Sequence, residues 1–208
     1  MRVRVKYLFI NIFFIVFYSS VFAENHETAY SKVKKNIKYI NAAAKSYDIN
    51  ASYLASVIYT ERVLNYDWTD ELFDLVYIKA GQNGSLGFSQ VKLKTAYFIE
   101  SQYFDSTSIF CPGEKYKQRF SISTTPSMLV DKLLNDSTNI MYAAAYLRIL
   151  QSYWAKAGYS IDTKPDIIGT LYSMGLFNKD GKVRTPHENP EPNYFGETVL
   201  KSIKLFQR

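Results

Sequence analysis

Glu61 closes the run Leu54-Ala55-Ser56-Val57-Ile58-Tyr59-Thr60-Glu61, and helical spacing decides what it can do. Leu54, Val57, Ile58 and Glu61 stand at i, i+3, i+4 and i+7, the positions that share one side of a helix. An acid therefore stands on an apolar face. Burial against aliphatic side chains disfavours the charged form and raises a carboxyl pKa, so a glutamate there keeps a proton to donate near neutral pH. One reading is a general acid. The other is a glutamate just past the last helical turn, solvated or paired with Arg62.

Other chemistries lack their residues. The two histidines, His26 and His187, and the single cysteine, Cys111, supply no metal-ligand spacing, no internal disulfide and no supported Ser-His-Asp arrangement. Gly81, Gly84 and Gly87 invite a phosphate-loop reading, but no Lys-Ser or Lys-Thr follows and no buried strand precedes. Neither a metal nor a cofactor is expected.

Residues 1–23 read as an export signal. Arg2, Arg4 and Lys6 form a basic head, Tyr7 to Tyr18 an apolar stretch, and Val21-Phe22-Ala23 carries residues that a signal peptidase reads. Cleavage is expected after Ala23, with an uncleaved anchor as the alternative, and the protein is expected to be periplasmic or secreted. Removing three cations from the 25 basic residues leaves 22 against 19 acids, a formal charge of +3. That mild excess is scattered, with no arginine-rich run, so nucleic acid is not an expected partner. A mildly positive surface suits an anionic envelope.

The elements that must position Glu61 are helical. Tyr30, Val33, Ile37, Ile40, Ala44 and Tyr47 step by threes and fours, predicting one amphipathic first helix, and Asn50 caps a second that ends near Glu61. A weaker helical stretch, 71–80, leads into the glycine-rich loop 81–87, and Val91 to Gln102 is again helical. Residues 103–126 read as an irregular insertion with a basic cluster, expected as a solvated loop. Asn135 opens a helix that buries Ile140, Ala143, Ala144, Leu147 and Leu150. Pro165 and Gly175 bracket a short buried helix, and Gly196 to Phe206 closes the fold with Val199, Leu200, Ile203 and Phe206 facing in. No strand pattern persists. The expectation is one all-α domain, or α with a minimal β element, over 24–208. Asn50-Ala51-Ser52, Asn83-Gly84-Ser85 and Asn135-Asp136-Ser137 match the glycosylation pattern but read as caps and turns.

In order along the chain come Glu61 on its apolar helix, Ser85-Leu86-Gly87-Phe88-Ser89-Gln90-Val91, Thr95-Ala96, Asn139-Ile140 with Ala143, Ala144, Tyr146 and Leu147, and Tyr172-Ser173-Met174-Gly175. This series resembles the lysozyme-like lytic transglycosylases over about residues 45 to 205. That family carries a catalytic glutamate, a Ser-any-Gly-any-any-Gln segment, a Thr-Ala pair, an Asn-Ile helix and a Tyr-Asn-any-Gly turn. The chain departs from it at Arg62, where serine is common, at Ser173, where asparagine is usual, and in the long spacing after Glu61, which leans toward the goose-type branch.

The resemblance implies a lysozyme-like domain of packed short helices around a glycan cleft. It further implies that Glu61 cleaves the MurNAc-GlcNAc β-1,4 bond of peptidoglycan, acting as acid and then as base, so that the muramic 6-hydroxyl closes a 1,6-anhydro end. Ser85, Gly87 and Gln90 are then expected to contact glycan, with Tyr172 pointing toward Glu61 to hold its carboxyl or a substrate N-acetyl group, and Tyr194 as a weaker cleft candidate. Two alternatives stay open. One is a hydrolytic lysozyme that draws a water-activating carboxylate from Asp67, Asp70, Glu71 or Asp74. The other is a wall-binding or assembly protein without turnover. Peptidoglycan strands are the expected partner, an envelope or secretion-apparatus protein is a further candidate, and a monomer is expected.

Overall fold

The computed structural model describes residues 24–65 and 84–207. The stretch 71–80 and the acidic residues 67 to 74 lie outside them, as do residues 1–23, which the sequence leads us to expect as an export signal. Eight α-helices, two short 3-10 helices and one two-stranded sheet make up the described chain. The chain is all-α with a minimal β element, as its periodicity implies. None of the described helices is long and apolar enough to cross a membrane.

Two helices form the centre. Helix α3, Ala51–Asn65, is buried at every position from Leu54 to Val63. Helix α6, Asp136–Lys156, is buried at Asn139, Ile140, Tyr142 to Leu147, Ile149, Leu150, Gln151 and Trp154. A helix covered on all sides belongs to the middle of a domain, and the alanines of α6 let its neighbours approach closely. Asn50 starts α3 as expected, accepting from the amide of Ser52 at 2.8 Å. The helix does not end at Glu61, however, but runs one turn further to Asn65.

The predicted first helix is two. Helices α1, His26–Lys35, and α2, Ile37–Ser46, are divided at Asn36, whose side-chain amide donates to the Lys32 carbonyl at 3.3 Å. Side-chain amides of this kind compete with the helical ladder for backbone partners. The start of α1 is tied down by side chains. Glu24 binds Lys32 and, at 2.6 Å, the Nε of Arg62, and His26 Nδ1 is 2.7 Å from the Tyr59 hydroxyl. Both contacts tie α1 to α3.

Strand β1, Ser85–Leu86, pairs antiparallel with β2, Val91–Lys92, in the register Ser85 to Lys92 and Leu86 to Val91. Helix α4, Leu93–Phe104, follows directly. The segment 103–126 is no solvated loop. Tyr103 belongs to α4, and Phe110, Cys111 and Tyr116 are buried. Tyr116 stacks on Tyr47, Phe120 packs on Tyr103 and Tyr142, and a 3-10 helix, Glu114–Arg119, carries the basic residues outward. Spaced aromatics without a periodic element carry no helix or strand signal, so the packing is invisible in sequence.

Helix α5, Pro126–Leu134, begins on Thr125 and leads into α6, which Asn135 caps. Helix α7, Pro165–Met174, ends at Gly175 with φ 77°, a positive value that glycine adopts without steric cost. Helix α8, Tyr194–Ser202, passes into a 3-10 turn, Ile203–Leu205. Val199, Ile203 and Phe206 face the core, but Leu200 is half exposed, because the inner stripe runs 199, 203, 206 and leaves position 200 about 100° away.

Helices α7 and α8 meet at glycines. A methyl group on Gly196 would stand 2.1 Å from the Asp166 carbonyl and 2.2 Å from the Thr170 hydroxyl, and one on Gly169 would stand 2.7 Å from Val199. Backbone contacts cannot yield as a flexible side chain can, so Gly196→Ala is expected to destabilise the fold by about 3 kcal/mol. Denaturant unfolding of the variant measures this, and an unchanged midpoint would mean that the helices separate freely.

Candidate functional site

Glu61 projects from α3, one turn before its end, to the floor of a cleft of about 970 Å³. The walls come from the end of α3 (Leu64, Asn65), the sheet (Ser85, Gln90, Val91, Lys92), one face of α4 (Lys94, Thr95, Phe98), the end of α7 (Tyr172, Ser173, Met174) and the start of α8 (Asn193, Tyr194, Phe195). Glu61 is 9 % exposed, yet its carboxyl is not paired with Arg62, which binds Glu24 and the Phe88 carbonyl. Its carboxyl accepts one hydrogen bond, 3.1 Å, from the side-chain amide of Asn65. Burial pushes the Glu61 pKa up to about 7, against a smaller lowering by Asn65 and by the charge of Lys92.

A second buried glutamate shows how much partners matter. Glu100, on α4, is 2 % exposed and accepts from the Ser123 amide at 2.6 Å, the Ser123 hydroxyl at 2.8 Å, Lys132 at 2.9 Å and Tyr142 at 2.5 Å. Burial alone would raise its pKa, but the hydrogen bonds from Tyr142, Ser123 and Lys132 prevail and hold it below the usual range. Glu100 is thus a fixed anion that anchors residues 121–123, whereas Glu61 retains its proton more readily than an ordinary glutamate and faces a cleft. Sequence reasoning missed Glu100 because its partners lie 23 to 42 residues away.

The turn 87–90 that frames the cleft is clamped from three helices. Arg62 of α3 donates to the Phe88 carbonyl at 3.0 Å and lies 4.6 Å from the centre of the Phe88 ring. Asn139 of α6 accepts from the Ser89 amide at 2.7 Å and donates to the carbonyls of Leu86 and Leu133 at 2.8 and 2.9 Å. Tyr172 of α7 donates its hydroxyl to the Ser89 carbonyl at 2.8 Å. Buried peptide groups that no ladder satisfies are thereby paired.

Of the expected contacts, Ser85, Gln90, Tyr172 and Tyr194 do line the cleft with Glu61. Gly87 does not. It is buried behind the turn with φ 69°, and a side chain there would stand 2.1 Å from the Leu133 carbonyl and 2.5 Å from Asn139, so its task is close packing. Gln90, itself at φ 53°, folds its amide back onto the Gly87 carbonyl at 3.1 Å. Tyr172 spends its one donor on Ser89, and the residue that holds the Glu61 carboxyl is Asn65. Burial, and then the neighbouring Glu61 and Tyr146, push the Tyr172 phenol well above its ordinary pKa, so it remains a neutral hydroxyl.

Asn65, Lys92, Lys94, Phe98 and Asn193 are cleft residues that sequence reasoning missed. Asn65 had a signal, since it stands at i+4 from Glu61. Asn193 caps α8 and donates to Ser173 at 3.0 Å, which joins the departure at position 173 to the cleft wall. Phe98 is backed by Phe110 and Phe177, with ring centres 5.4 and 5.7 Å away, so the 103–126 segment buttresses one end of the cleft. Among the described residues no group of side chains could hold a metal ion. No family model matches the chain, and neither curated proteins nor solved structures give a match.

The two glutamates predict opposite stability effects. Unfolded, Glu61 ionises near 4.5, and folded near 7. Its protonated form carries no penalty below pH 4.5, and the folded state loses stability as pH rises through 7, approaching about 3 kcal/mol. Glu61→Gln, which cannot ionise, is therefore expected to be more stable than the parent at pH 8 by about 3 kcal/mol, with little difference near pH 4. Glu100 has the opposite sign, its stabilisation present above its unfolded pKa and lost as pH falls. Glu100→Gln is expected to cost about 3 kcal/mol at neutral pH. Denaturant unfolding of both variants across pH checks the pair, and equal effects would show that their surroundings do not differ as described.

Proposed function

We propose that this chain is an exported peptidoglycan lytic transglycosylase with Glu61 as its acid and base. The observation that carries the reading is a buried glutamate, raised to about 7, on the floor of an open cleft. An ordinary glutamate would hold its proton in roughly one molecule in three hundred at neutral pH, whereas this one holds it in about half. The order of motifs that resembles the lytic transglycosylases supports the same reading, since Glu61, Ser85, Gln90, Thr95 and Tyr172 come from separate stretches and line one cleft. The export signal of residues 1–23 would deliver the chain to the periplasm or outside the cell.

In this mechanism the Glu61 proton passes to the glycosidic oxygen as the bond from the MurNAc anomeric carbon breaks, and the GlcNAc 4-hydroxyl leaves. The glutamate, now a carboxylate, takes the proton of the MurNAc 6-hydroxyl while that oxygen bonds the anomeric carbon. The product is a 1,6-anhydro end, water is not consumed, and Glu61 ends protonated. Asn65 fixes the orientation of the carboxyl through both steps. Among the described residues that line the cleft, Glu61 is the only carboxylate, which suits a route using one carboxyl twice.

Mass spectrometry of soluble products released from purified peptidoglycan by the chain beginning at Glu24 tests the proposal. Muropeptides with 1,6-anhydro ends are expected from the parent and none from Glu61→Gln. The kcat/KM is expected to be level in mild acid and to fall tenfold per pH unit above about 7, as the donor proton is lost. Hydrated reducing ends would instead establish a lysozyme. Binding to sacculi without release would establish a wall-binding protein.

A further inference from the structure

The cleft wall carries two cations that bond cleavage does not use. Lys92 closes β2 and Lys94 lies in the first turn of α4, both are exposed, and both line the same cleft as Glu61. They are the only cationic side chains among its described lining residues. Lys92 is near enough for its charge to act on the Glu61 carboxyl. Beyond Lys94, the same face of α4 continues through Thr95 to Phe98, one turn further on, which meets Phe177 edge to face. Phe177 and Met174 are each more than 40 % exposed, so the lysines border a floor that is apolar and open to solvent.

A neutral polysaccharide chain offers two ammonium groups hydroxyl and amide acceptors but no opposite charge, whereas every muramic residue carries a lactyl ether. That substituent is a branched three-carbon acid when bare, and when substituted it leads into a peptide with free carboxylates and alanyl methyl groups. Either form pairs a carboxylate with a small apolar group, the combination that a lysine pair beside an aromatic floor accommodates.

We propose that Lys92 and Lys94 form a carboxylate-binding subsite in the Glu61 cleft, which selects glycan bearing an anionic muramyl substituent, with the substituent's methyl groups resting toward Phe98 and Phe177. The subsite rests on the glycan reading given above and adds its substrate selectivity. It requires that the two charges line the cleft, and a ligand carboxylate competes with whatever other partners either lysine has.

Binding to the Glu61→Gln protein tests the subsite without requiring turnover. The probes are three tetrasaccharides: chitotetraose, which is neutral, a peptide-free GlcNAc-MurNAc tetrasaccharide with lactyl carboxylates, and its peptide-bearing counterpart. At low ionic strength at least one carboxylate-bearing probe is expected to bind about three- to tenfold more tightly than chitotetraose. Raising the salt to about 0.5 M shrinks that ratio, because exposed charges are screened. Adding K92Q and K94Q brings the ratio toward one, and adding K92R and K94R instead preserves it. The tighter of the two anionic probes identifies the carboxylate as lactyl or peptide. Equal affinity for all three probes, or a preference that survives K92Q/K94Q, overturns the subsite while leaving the glycan reading in place. Failure of all three to bind overturns the glycan reading and the subsite with it.

Discussion

Three side chains from three helices converge on one four-residue turn, and the cleft depends on that convergence. Arg62 binds the Phe88 carbonyl, Asn139 the Ser89 amide and Tyr172 the Ser89 carbonyl. Burying these groups unpaired would cost about 1 to 3 kcal/mol each, so the clamp fixes where α3, α6 and α7 stand relative to the sheet. Glu24 completes the arrangement by balancing the Arg62 charge, which burial would otherwise leave costly. The residue next to Glu61 is thereby committed to Glu24 and the Phe88 carbonyl, and the Glu61 carboxyl is left to the cleft.

Charge and burial part company at the two inner glutamates. Both lie among apolar residues on helices, and burial alone would push either toward the neutral form. Glu100 receives donors from α5, α6 and the 121–123 segment, and stays ionised as a structural anchor. Glu61 receives one amide bond and keeps its proton to about pH 7. Glu100 has several donors where Glu61 has one, so low solvent exposure by itself would not tell a proton donor from an anchor.

The segment after α4 joins these parts. Its aromatic residues reach in two directions, Tyr116 and Phe120 toward Tyr47, Tyr103 and Tyr142, and Phe110 toward Phe98, Tyr153 and Phe177. Ser123 closes the Glu100 network. One irregular stretch therefore holds the distal wall of the cleft and caps the aromatic core, and its basic residues are left on the surface because the aromatic ones point inward.

Periodicity alone determined the helical class, the caps at Asn50, Asn135 and Gly175, and the placing of an acid on the buried side of α3, because each depends on residues within two turns of one another. The break at Asn36 goes with a side-chain contact to a single backbone carbonyl, which a hydropathy pattern does not register. Gly87 was legible as a special position but not as a packing one, since what it packs against is some fifty residues distant in Asn139. The sequence by itself set Glu61 among apolar neighbours. Only the tertiary structure decided that, among the described residues, Glu61 meets one donor and Glu100 several, because those donors are brought together by contacts between segments far apart in the chain.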